Sequence, residues 1–232
     1  MKGFVSILIV GWVAFSSGCK DSAPLSDREL ATTILAQESA KVVRPKKVLV
    51  LSNPFSQQPG SSEQVYDFEK AGVAGLKEGF GKAVEIEVVF PALKPEVLKD
   101  PRSVQVDPQT TTPLSFLVSE QAFSDVLQKH PDADLVVSLI GLPLNVAGLK
   151  QWNQPGKPQF ALLFPDWRMI GNQSAIVQAF QSGKLVAAVI RKPVPEEAQG
   201  DARAQFDAKY FLVTRDNVDS LLKDHPAIFL PH

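Results

Sequence analysis

The chain has 232 residues, 44% of them hydrophobic and 21% charged, with a formal net charge of −1. That composition is ordinary for a globular domain, and without a basic excess there is no electrostatic footprint for nucleic acid or anionic lipid. Cys19 is the only cysteine, so an intrachain disulfide is excluded; once that thiol is modified, thiol catalysis and cysteine metal sites are excluded too.

The chain opens with Met1 and Lys2, then the apolar run Phe4 to Phe15 (FVSILIVGWVAF), broken only by Ser6 and Gly11. That is about the length of a signal h-region and short for a membrane span. Small residues follow, Ser16-Ser17-Gly18, then Cys19, and the chain turns polar at once with Lys20, Asp21 and Ser22. These residues resemble the bacterial lipoprotein signal. In that family the cysteine thiol receives a diacylglycerol, cleavage precedes the cysteine, and the new amino terminus is acylated. The family pattern has Leu three residues before the cysteine; Ser16 stands there in this chain, with Phe15 beside it to supply the apolar contact. The resemblance implies a signal peptide over residues 1–18, lipidation of Cys19 and a lipid bilayer as partner. Lys20 in place of Asp after the cysteine implies delivery to the outer rather than the inner membrane. A plain secretory signal with an incidental cysteine, or an uncleaved anchor helix, is the alternative.

Removing the first 18 of 232 residues leaves 214. Residues 19–45 read as a tether. Within it Ser26-Asp27-Arg28-Glu29 matches a capping box, and Leu30, Ile34 and Leu35 predict a short helix lying on the domain. Residues 46–232 read as one domain, ample for one core and short for two.

From Lys46 onward, strand and helix signals alternate. Lys47–Ser52 (KVLVLS) is a continuous apolar run, as suits a parallel strand covered on both faces. Asn53 to Gly60 is a loop, Ser61 to Gln64 a second capping box, and the helix to Phe80 puts Val65, Phe68, Gly72, Leu76 and Phe80 on one face. Gly72, Gly75 and Gly79 cost helix propensity, which predicts a close approach of that helix to the sheet. Further strands are predicted at Ala83–Phe90, Asp134–Ile140, Gln159–Phe164, Lys184–Arg191 and, on an edge, Tyr210–Thr214. Residues 91–113 read as a surface connection and 193–205 as a polar loop. Helices are expected over 117–129, 146–152, 173–182 and, capped by Asp216, 217–223. The alternation predicts a doubly wound, three-layer α/β sandwich on a mainly parallel sheet of five to six strands, in the order 2-1-3-4-5.

KVLVLSNPF, FEKAGVAGLKEGFGKAVEIEVVF, DADLVVSLIG and KPQFALLF resemble, in order and wording, the first lobe of type I periplasmic binding proteins. The likeness covers residues 46–165 and weakens to 225. It implies the same α/β fold and ligand binding. Those proteins close two lobes around a ligand, whereas this chain has residues for one lobe and a little more.

Ligands of open parallel sheets bind beyond the carboxyl ends of the strands. There the sequence offers Asn53, Ser56, Gln57 and Ser61 after the first strand, Asn145 after the third, and Asp166-Trp167-Arg168 after the fourth. An aromatic face between an acid and a guanidinium suits a sugar or an amino-acid-like ligand; the bland alternative is an Asp–Arg turn with a packed Trp. No catalytic motif is found: no Gly-x-Ser-x-Gly elbow, no Walker loop, no Gly-x-Gly-x-x-Gly. His130 and His225 precede prolines at helix ends, where a cation meets the negative helix terminus. No cofactor and no metal is expected. Three functions stay open: an exported binding module for a small molecule or peptide, an interaction module of an envelope complex without a pocket, and a hydrolase or transferase of unrecognised motif.

Overall fold

The computed structural model describes residues 26–197 and 200–229; Cys19 and the export segment lie outside the described residues. One sheet contains β1 (Lys47–Leu51), β2 (Glu85–Val89), β3 (Leu135–Ser138), β4 (Gln159–Leu163), β5 (Leu185–Arg191) and β6 (Tyr210–Thr214). The order is β2-β1-β3-β4-β5-β6. The first five strands run parallel, and β6 pairs antiparallel with β5. This is the expected order, extended by one edge strand. The central strands are almost wholly buried, as their unbroken apolar runs require. β2 alternates Glu85, Ile86, Glu87 and Val88 and is the partly exposed strand at one edge.

The helices are α1 (Asp27–Val43), α2 (Glu63–Phe80), α3 (Pro95–Lys99), α4 (Leu114–Leu117), α5 (Ala122–Lys129), α6 (Lys150–Asn153), α7 (Gln173–Gln181), α8 (Ala202–Lys209), α9 (Val218–Asp224) and α10 (Pro226–Phe229). One face of the sheet packs on α1, α2 and α8 through Leu30, Leu35, Leu76 and Phe206. The other packs on α5, α7, α9 and α10 through Phe123, Phe180, Leu222 and Phe229. Among the described residues, no helix is long and apolar enough to cross a membrane.

Residues 27–43, where a short helix lying on the domain is expected, carry one, with Leu30, Ile34 and Leu35 buried. They form a 17-residue helix in the layer above the sheet, capped by Ser26, whose Oγ accepts from Glu29 N–H at 3.2 Å. The helix reads polar because it buries hydroxyls. Thr32, Thr33 and Ser39 are all buried, and each donates to a carbonyl of its own helix: Thr32 to Arg28 O, Thr33 to Glu29 O, Ser39 to Leu35 O. A hydroxyl satisfied in this way is cheap to bury.

The glycines of α2 approach α1, not the sheet. A Cβ on Gly75 would lie 2.3 Å from Glu29 O, and one on Gly79 would lie 2.4 Å from Thr33 O. α2 begins at Glu63 with Ser62 as its cap, one residue later than the sequence suggests. Phe68 points outward, 49% exposed.

Four further expectations change. The 91–113 connection is anchored by buried Leu93 and Val97. The 117–129 helix is divided into α4 and α5. The 193–205 loop ends in α8, whose cap Asp201 accepts from Ala204 N–H at 2.9 Å. Asn217, not Asp216, occupies the cap position of α9.

Candidate functional site

Most of the sequence-predicted polar residues are spent on their own turns. Asn53 Oδ1 accepts from Phe55 N–H at 2.9 Å, and Ser56 Oγ donates to Asn53 O at 2.7 Å. Ser61 Oγ donates to Phe55 O. Asn145 Oδ1 accepts from Gly148 N–H at 3.1 Å. Gln57 stays exposed at the tip.

The Asp166-Trp167-Arg168 cluster is structural. Trp167 is 2% exposed, 5.2 Å from the Phe229 ring of α10 and 6.2 Å from Phe180 of α7. It is packed in the core and does not stand at a loop tip. Asp166, 4% exposed, is held bidentately by Arg168 (2.6 and 2.9 Å) and receives Thr110 Oγ1 at 2.8 Å. Arg168 also reaches Asp107 at 2.8 Å. The cluster thus ties the 107–112 segment to the loop after β4. Burial pushes the Asp166 carboxyl up, but the bonds from Arg168 and Thr110 outweigh it and hold the group below its ordinary value.

The expected crevice between the Asn53–Ser61 and Asp166–Arg168 loops is not one cavity. Ser56 and Gln57 border a hollow of about 340 Å³ between α2 and β2, beside Tyr66, Val73 and Phe90. Trp167 borders a second, of about 370 Å³, with Phe164, Ile190 and Ile228. Neither includes Asp166, Arg168 or Asn145. A third hollow, of about 230 Å³, lies on the α1 face where β4 and β5 end and β6 begins. Arg28, Phe164, Arg191, Lys192, Lys209 and Tyr210 are among its walls. Phe164 and Arg191 are shared by the second and third hollows, which therefore flank one stretch of the carboxyl edge.

A buried polar relay escaped the sequence reading. Arg28 Nη2 donates to Glu69 Oε1 at 2.8 Å, while Ser52 Oγ donates to Glu69 Oε2 at 2.6 Å. Asn53 N–H adds a bond of 3.3 Å to the same oxygen. Burial lowers the Arg28 pKa, Glu69 opposes that, and the charge of Arg191 lowers it further. The sequence signal was Glu69, a charge on the buried face of an amphipathic helix; its partner lay 41 residues away. Among the described residues, no group of three or more His, Cys, Asp or Glu is placed to hold a metal ion.

No protein-family model matches the chain, and no curated protein matches it. Solved structures to which it is similar include a sugar ABC transport system substrate-binding protein from Bordetella parapertussis (15% identity, 88% of this chain, 60% of that one, TM-score 0.48). Others are a carbohydrate transporter from Acidothermus cellulolyticus in complex with myo-inositol (15%, 88% and 63%, TM-score 0.47) and an ABC transporter solute-binding protein from Agrobacterium vitis bound with alpha-D-tagatopyranose (17%, 88% and 62%, TM-score 0.46). The chain spans about three fifths of the length of these proteins.

Proposed function

We propose that this chain is an exported binding module of the bacterial cell envelope, held to the periplasmic side of a membrane by acyl chains on Cys19, the outer membrane in preference to the inner. It takes a small-molecule ligand at the carboxyl edge of its sheet. The observation that carries the reading is the hollow of about 230 Å³ at the ends of β4 and β5, where Arg191 and the rings of Phe164 and Tyr210 face one space. A concave site with a few convergent polar groups on apolar walls is how small molecules are held. Asp27, the acid in the wall of this hollow, is paired with Lys209, and Glu69 behind Arg28 is bonded by Arg28, Ser52 and Asn53, which favours structural roles over acid–base work. The test is a thermal-shift screen of the full chain in detergent against sugars, amino acids, nucleosides and organic anions. A compound that binds only the native state raises the melting temperature.

A second reading, an interaction module of an envelope complex, is favoured by the exposure of Tyr66 (52%) and Phe90 (37%) beside the α2–β2 hollow. A melting temperature unmoved by every compound would put that reading first.

A further inference from the structure

Four cations border the hollow at the ends of β4 and β5, and three of them have an acid. Arg28 is 2.8 Å from Glu69, Lys209 is 2.6 Å from Asp27, and Lys192 is 3.9 Å from Glu196. Arg191 has none. Among the described residues its guanidinium enters no ion pair or side-chain hydrogen bond; it lies over the Phe164 ring, 4.6 Å from the centroid. Four cations against three acids leave one positive charge facing the space. That charge acts on Arg28, another residue lining the hollow. An anion bound by Arg191 offsets the unfavourable effect of its charge on Arg28.

The geometry also selects a shape. The Arg191 guanidinium carbon lies 4.6 Å from the Phe164 ring centroid, no side-chain bond among the described residues engages its N–H groups, and a planar fork of that kind matches a carboxylate through two parallel bonds. Phe164 and Tyr210, with centroids 5.6 Å apart and planes 30° from parallel, make an apolar wall beside it. The volume of about 230 Å³ is several times the roughly 30 Å³ of one water and has room for a six-membered ring with a carboxylate.

We propose that this hollow binds a small organic monoanion, a carboxylate carried on a ring, with the carboxylate on Arg191 and the ring against Phe164 and Tyr210. The inference rests on the carboxyl edge being the ligand site. The full chain in detergent is titrated calorimetrically with benzoate and glucuronate, with their neutral amides benzamide and glucuronamide, and with inorganic phosphate. The carboxylates bind and raise the melting temperature, the affinity falls as salt is added, and the amides bind at least about tenfold more weakly. Arg191→Gln weakens carboxylate binding at least about tenfold while the free protein still melts cooperatively. Arg203→Gln, on an exposed residue paired with Asp207 that is not among the walls of this hollow, leaves binding intact. Amides that bind as well as acids, an Arg191→Gln variant that binds undiminished, or phosphate that matches the carboxylates overturns the proposal. A neutral sugar or nucleoside that binds while the carboxylates do not overturns this ligand class and leaves the binding-module reading standing. Binding by none of the compounds, charged or neutral, overturns both.

Discussion

Arg28 Nη2 donates to Glu69 Oε1 at 2.8 Å across the α1–α2 contact, and both side chains are 7% exposed. Two charges so placed have lost most of their water, so each depends on the other. Arg28→Met leaves a buried carboxylate with only Ser52 and Asn53 as donors and is expected to cost about 3–5 kcal/mol. Arg28→Met with Glu69→Gln removes both charges and keeps an acceptor for Ser52, and loses less. Urea unfolding of the two variants against the parent checks the difference; equal losses would mean that the pair is not coupled.

The same helix contact makes Gly75 irreplaceable by alanine. A Cβ there would lie 2.3 Å from a backbone oxygen, Glu29 O, and 2.2 Å from Thr32 Oγ1. Alanine gains up to about 1 kcal/mol in helix propensity, but overpacking costs roughly 1–3 kcal/mol, and a backbone atom has little room to yield. The expected outcome of Gly75→Ala is a lower urea midpoint. A raised midpoint would show that α1 and α2 are separated more widely.

Trp167 belongs to the core, which reverses the expectation for a loop-tip residue. Trp167→Ala removes a ring packed on Phe180 and Phe229 and is expected to cost about 3–5 kcal/mol. Circular dichroism melting checks it, and a variant as stable as the parent would return Trp167 to the candidates for ligand contact.

Asp166 makes stability depend on acid. Its folded-state pKa lies below the ordinary value, so the folded state binds that proton more weakly than the unfolded chain does. The resulting stabilisation is fully present above the unfolded pKa of about 3.9 and is lost as the pH falls through the lower folded value. Asp166→Asn should be less stable than the parent at neutral pH, and its stability should fall less steeply below about pH 4. Unfolding free energies measured from pH 7 to pH 2 test this; parallel curves would remove Asp166 from the account.

Cys19→Ser is expected to yield a chain without acyl groups, either uncleaved or released from the membrane. Intact-protein mass spectrometry of the native protein should find an acylated amino-terminal Cys19; a mature amino terminus at any other residue would refute the anchor.

Some of this protein could be read along the chain alone. The central strands announce themselves because a strand buried on both faces must be apolar throughout, as Lys47–Leu51 and Leu185–Arg191 nearly are. Their alternation with helices was enough for the strand order, since right-handed crossovers leave few arrangements. Burial of polar groups was not legible, because its cost is set by partners that sequence distance conceals. The capping box with Leu30, Ile34 and Leu35 announced α1, but its length was hidden by buried hydroxyls that bond their own carbonyls. Glu69 found its cation 41 residues upstream. Trp167 looked like a loop residue until α10, some sixty positions on, closed over it. The hollow at the carboxyl edge draws Arg28, Phe164, Arg191 and Lys209 from four separate elements and connections. Only the packing of α1 on the sheet and the antiparallel return of β6 bring those side chains to one place.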